Sequence, residues 1–142
     1  VELVTWNESC SVNVPEFDKD HQHLYSLVNS LHDAMLAAKA REALSDLLDE
    51  LISYSQSHFV NEESFMAARN FPGLAAHAAE HAQLTQQVLE FRERFRSGTP
   101  ITLGLMHFLR EWLAQHIECS DKLYCVPNAT GAAAPRPPEI RL

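Results

Sequence analysis

Apolar residues return at helical spacing in four separate stretches of the chain. From His21 onward, Leu24, Val28, Leu31 and Met35 share one face. A second stripe runs through Leu44, Leu47, Leu48, Leu51 and Ser55; His58, Glu62 and Met66 continue it until Asn70, Pro72 and Gly73 break the period. Leu74, His77, His81, Leu84, Val88, Phe91 and Phe95 make the third, closed by Ser97, Gly98, Thr99 and Pro100, a stop signal followed by a start. Leu105, Leu109, Trp112, Leu113, His116 and Leu123 define the fourth, and no alternating β pattern competes. Four amphipathic helices with short connections predict an all-α fold: an up-down-up-down antiparallel four-helix bundle, preceded by an N-terminal arm that ends near Pro15. Residues 1–126 are expected to form this domain. Residues 127–142, rich in Ala and Pro, are expected to be an extended tail or linker.

Six polar residues interrupt the apolar stripes: His21, His58, Glu62, His77, His81 and His116. A polar side chain on a core face must find a partner or destabilise the fold, and any one of these histidines alone would read as a hydrogen-bonded core residue. Together they read differently. His21 and the His77/His81 pair lie early in the first and third helices, whereas His58, Glu62 and His116 lie late in the second and fourth. In an up-down-up-down bundle all of these positions fall at one end. Five imidazoles and a carboxylate converging in an apolar space leave many unsatisfied groups unless a cation sits among them. The i,i+4 pairs His58/Glu62 and His77/His81 each present two donors on one helix face.

Asp121 is the natural second carboxylate, but five residues after His116 it lies about 140° around a regular α-helix. A π-bulge between the two would align them, and such bulges favour functional sites; otherwise Asp121 is a solvated acid near a helix end. Seven ligands exceed what one ion usually takes from protein, so two metals bridged by Glu62 and Asp121 are expected. Imidazole and carboxylate suit iron, manganese or zinc alike. A ferritin-like carboxylate site would need four Glu and two Glu-x-x-His motifs, which this chain lacks.

The 142-residue length suits one domain with a core that needs no staples. Nineteen acidic against eleven basic residues give a net charge of -8, with no long Lys/Arg block, which argues against nucleic acid as a partner. No apolar run reaches the roughly 18 residues of a membrane span, so membrane insertion is not expected. Three cysteines without a CxxC pair argue for a reducing compartment, with the cytoplasm as the expected location.

The motifs Trp6-Asn7, Phe17-Asp18-Lys19-Asp20-His21 with Leu24 and Asn29, His58-Phe59-Val60-Asn61-Glu62-Glu63 with Met66, His77-Ala78-Ala79-Glu80-His81, and Trp112-Leu113-Ala114-Gln115-His116-Ile117 with Asp121 resemble those of the bacterial hemerythrins. The match runs from Trp6 to about Tyr124. The resemblance implies two iron ions with a bridging oxide or hydroxide: His77, His81 and His116 would hold one, His21 and His58 the other, and Glu62 and Asp121 would bridge them. The iron with two histidines would keep an open position for O2, the expected partner, and Phe59, Trp112, Leu113 and Ile117 would surround the bound oxygen. The role this implies is reversible O2 binding as a carrier or store, or as the sensing module of a signalling protein. A chain without an initiator Met and with a Pro-rich tail fits linkage to an output domain. The alternative is a diiron redox enzyme acting on peroxide, nitric oxide or ferrous iron; with no acid-base pair beyond the ligands, catalysis ranks below binding. Asp20 stands where the family commonly has Gln.

His23 and His107, about 200° and 180° around their helices from His21 and His116, are expected to face solvent. His32, roughly 16 Å along the axis from His21, is too far to join the same centre. Glu63, one step off the stripe, is expected to be exposed, and Glu80 to support a ligand histidine as an acceptor. Cys119 reads as a small buried hydrophobe rather than a ligand.

Overall fold

The computed structural model describes residues 3–121, leaving aside the side chains of Thr102, Glu118 and Cys119. The expectations for Leu123, for the Cys119 side chain and for the 127–142 tail lie outside the described residues.

A 3-10 turn at Glu8–Cys10 is followed by α1 (Pro15–Leu36), α2 (Arg41–Ala68), α3 (Leu74–Arg96) and α4 (Thr102–Gln115), and a π-helical segment, His116–Ser120, continues α4. The described residues contain no strand. Helix α1 begins six residues before the apolar stripe, because Pro15 occupies a first-turn position whose N–H no helix would use. Helices α2 and α3 follow their predicted stripes, whereas α4 stops being α-helical at Gln115. Each helix packs on its sequence neighbours and α4 returns to α1, closing the up-down-up-down bundle.

Three short connections turn the chain, and each begins in the same way. Ala38, Asn70 and Gly98 adopt positive φ (50°, 54° and 91°), and the next residue's N–H reaches back to the last helical turn: Lys39 to Ala34, Phe71 to Met66 and Thr99 to Arg94. This is the Schellman stop, which favours Gly, and Asn after it. Ala38 carries a Cβ into the left-handed region. Ala38→Gly is therefore expected to stabilise the fold by about 0.5–1 kcal/mol, the relief of strain exceeding the added freedom of the unfolded chain, measurable as a higher urea midpoint.

Core composition changes along the bundle. Leu24, Val28, Leu31, Leu48, Leu51, Ile52, Leu84, Val88, Leu105 and Leu109 fill most of it. At the end where His21 lies, a smaller group made by Val12 of the arm, Phe17 and Met66 closes the interior. The polar cluster thus has apolar packing on both sides. The arm is held by Asn29, whose Oδ1 accepts from the N–H groups of Leu3 and Val4 and whose Nδ2 donates to the Val4 carbonyl. Asp18 accepts from the Val12 N–H and the Ser11 hydroxyl, turning the arm over the bundle end.

Candidate metal centre

All seven residues expected at the centre come together, and none is more than 4% exposed. His21 comes from α1, His58 and Glu62 from α2, His77 and His81 from α3, and His116 from the end of α4. Asp121 joins them because the backbone widens. The His116–Ser120 segment is π-helical, and the Asp121 N–H bonds to the His116 carbonyl, five residues back. That extra residue per turn cancels most of the angle separating the two side chains on an α-helix.

The donor atoms form two groups, each with its atoms within 4.8 Å of one another: Glu62, His77, His81, His116 and Asp121 in one, and His21, His58, Glu62 and Asp121 in the other. Glu62 and Asp121 belong to both. Asp121 Oδ1 lies 2.9 Å from His77 Nε2 and 3.0 Å from His116 Nε2, while its Oδ2 lies 3.0 Å from His21 Nε2. Glu62 Oε1 sits between His58 Nε2 at 3.1 Å and His81 Nε2 at 3.3 Å.

These contacts are close, yet they are not hydrogen bonds. The Nε2 atoms of His21 and His58 and both Asp121 oxygens are buried without a hydrogen-bond partner, so they converge on shared points rather than aim at one another. On the other side, His81 Nε2 and His116 Nε2 approach to 2.8 Å. Their outer nitrogens are already committed, His81 Nδ1 to Glu63 at 2.9 Å and His116 Nδ1 to Glu80 at 2.7 Å. A carboxylate only accepts, so each Nδ1 carries the proton, and a neutral ring then directs its Nε2 lone pair inward. Two facing lone pairs at that distance require a cation or an added proton between them. The donor set fits two metal ions.

Three acids grip the outer nitrogens. Besides Glu63 and Glu80, Asp20 accepts from His58 Nδ1 at 2.7 Å, and the Ser120 hydroxyl donates to Glu80. Glu80 thus supports a cluster histidine as expected. Glu63 corrects the expectation of a solvated residue: its side chain is 35% exposed but engages His81. Asp20, singled out above only as a substitution, and Tyr54, which carried no expectation, complete this shell. His23 and His107 are exposed as expected, and His32 is half-buried away from the cluster.

The family model for the hemerythrin HHE cation binding domain matches residues 12–125. The chain belongs to the hemerythrin family. It is similar to the bacteriohemerythrin of Methylococcus capsulatus, 35% identical over 124 residues that cover 86% of this chain and 94% of that one. The bacteriohemerythrin of Stenotrophomonas maltophilia is 32% identical over 86% of this chain and 79% of its own length. A crystal structure of wild-type hemerythrin superposes with a TM-score of 0.80 at 34% identity, covering 87% of this chain and 95% of that one. Membership of the hemerythrin family implies a non-heme diiron site and O2 binding. Among the described residues, no helix is long and apolar enough to cross a membrane.

Electrostatics of this hemerythrin centre follow from opposed effects. Burial alone would lower the pKa of His58 and His116; for His58 the contacts with Asp20 and Glu62 outweigh it and raise the pKa to about 9. For His116 the charge and contact of Asp121, then Glu80, raise it to about 10. Burial pushes Glu62 and Asp121 up, and the surrounding histidines hold both below the usual carboxylate range. Aromatic rings back the three-histidine side. Phe59 stacks on His81 at 3.9 Å and Trp112 on His116 at 4.9 Å, with 10° and 11° between planes. Phe59, Trp112 and Leu113 also border an apolar cavity of about 20 Å³ that extends toward Leu84 and Val88. Ile117 is fully buried but does not line that cavity.

Proposed function

We propose that this hemerythrin binds O2 reversibly at two iron ions. His77, His81 and His116 would hold one and His21 and His58 the other, with Glu62 and Asp121 available to both and an oxide or hydroxide completing the set. The observation that carries this reading is the pair of overlapping donor groups, which have only the two carboxylates in common. Iron held there would supply the redox chemistry that reversible O2 binding needs.

The chain's own residues account for the rest. The two sides are unequal: three imidazoles and two carboxylates face one position, two imidazoles and the same two carboxylates face the other. An external ligand is therefore expected on the His21/His58 side. Asp20, Glu63 and Glu80 fix the tautomers of His58, His81 and His116, so that Nε2 is the free donor in each. Phe59, Trp112, Leu113 and Ile117 form the apolar wall around the oxygen site, keeping water from the reacting atoms and slowing irreversible oxidation. The role is that of an oxygen carrier or store, or of the sensing part of a signalling protein.

The decisive experiment is anaerobic reconstitution with ferrous iron, followed by absorption spectra before O2, with O2 and after its removal. Two irons per chain and a coloured band that appears with O2 and vanishes without it are expected. Iron that oxidises once and releases no O2 would replace this reading with a redox-enzyme function on peroxide, nitric oxide or ferrous iron.

A further inference from the structure

Asp20 does more than face one ring. Its Oδ2 accepts from His58 Nδ1 at 2.7 Å, and its Oδ1 accepts from the Tyr54 hydroxyl at 2.7 Å. Tyr54 and His58 are one helical turn apart on α2, so a single carboxylate of α1 ties two successive turns of its neighbour. The Tyr54 ring is covered in turn by His23, 4.3 Å away between centroids. The pair is shielded: the Asp20 side chain is 18% exposed.

The two halves of the centre are supported very differently. On the three-histidine side, Glu63 and Glu80 each hold the outer nitrogen of a ring. On the two-histidine side, His21 Nδ1 is buried without a hydrogen-bond partner. His58 is therefore the one ring of that half with its outer nitrogen anchored, and the anchor is Asp20, itself prevented from rotating by Tyr54.

Resting on the two-metal reading above, we infer that Asp20 and Tyr54 are the positioning residues of the two-histidine half and set how tightly that half holds its ion. Asp20 only accepts, so it keeps the His58 proton on Nδ1 and the Nε2 lone pair inward. Without it, His58 would sample both tautomers, and one of them cannot ligate through Nε2. In the three-histidine half His81 and His116 have acids of their own, Glu63 and Glu80, so the effect stays on one side. Tyr54→Phe leaves the carboxylate in place and removes one of its two tethers. A smaller effect in the same half follows.

The test is titration of the full metal-free chain with Co2+ across pH 7 to 9, followed by calorimetry and visible absorption, with each affinity corrected for the protons that binding releases. Wild type is expected to bind two ions in two steps. Asp20→Ala is expected to weaken the weaker step, that of the half with two imidazoles rather than three, about 10- to 100-fold and Tyr54→Phe about 2- to 10-fold, with the tighter step unchanged in both. In the Zn2+-loaded chain, the imidazole Nδ1–H of His58 is expected to exchange with water faster in Asp20→Ala, while those of His81 and His116 stay protected. This readout separates positioning from general loosening of the fold. Equal weakening of both steps, or an unchanged weaker step in both variants, overturns the proposal. A wild-type chain that binds fewer than two ions overturns the two-metal reading itself, and this proposal with it.

Discussion

Glu62→Gln is expected to leave this hemerythrin with fewer than one tightly held iron per chain and no oxygen-dependent colour. The amide keeps the shape of the side chain and removes only its charge. That charge is common to both donor groups, with Oε1 3.1 Å from His58 Nε2 and 3.3 Å from His81 Nε2. In the variant, two divalent ions would bring four positive charges into a buried space where Asp121 is the one remaining carboxylate among the seven donors. Burying charge without a partner costs several kcal/mol per ion, enough to lower affinity by several powers of ten. The metal-free variant is also expected to lose about 3 kcal/mol of stability at pH 7, because the protonated imidazoles lose a buried counter-charge. Iron content after desalting and a urea titration measure the two effects. Retention of two irons by Glu62→Gln would show that the shared carboxylate is not what joins the two positions.

The inner donors of this centre were legible in the sequence because helical period alone puts them on core faces, where His and Glu are out of place. The π-helical segment was legible for a similar reason: His116 and Asp121 can share a centre only if one residue is absorbed between them, and the backbone does this at His116–Ser120. The outer acids were harder, since their partners sit on other helices. Glu63, one step off the stripe, read as a solvated residue. A rule was nevertheless present. Asp20 precedes His21 and serves His58 on α2; Glu63 follows Glu62 and serves His81 on α3; Glu80 precedes His81 and serves His116 at the end of α4. Seen from one end of an antiparallel bundle, a step back along an ascending helix and a step forward along a descending one turn in the same sense, by about 100°. Each acid is thus rotated from the centre toward the next helix around. Tyr54 had no such signal, because its role depends on where Asp20 lies.

Metal uptake is expected to weaken steeply with falling pH: for each unit below pH 9 the product of the two binding constants falls about 100-fold, and each constant about tenfold. In the metal-free protein, the pKa values of about 9 for His58 and about 10 for His116 exceed the ordinary value of about 6.5, so both rings are cationic at neutral pH. A doubly protonated imidazole has no lone pair for a metal, so filling both positions expels about two protons per chain, each worth tenfold per pH unit. Calorimetry at pH 7 in buffers of different ionisation enthalpy counts those protons; Co2+ affinity at pH 6, 7 and 8 gives the slope. The same groups make the metal-free fold respond in the opposite direction. Because the two histidine pKa values are raised by folding, their stabilisation is fully present below about 6.5 and is lost as the pH rises through 9 to 10. Glu62 and Asp121 are depressed by folding, so their contribution is present above about 4 and is lost as the pH falls below the unfolded values. The metal-free protein is thus expected to be most stable between about pH 4.5 and 6.5. Above that window, protons leave a cluster whose carboxylates still need a counter-charge, and metal ions take over that role. The difference in Tm between loaded and metal-free protein should therefore widen from pH 6 to pH 9. A constant difference would mean that protons do not stand in for the metal in the empty bundle.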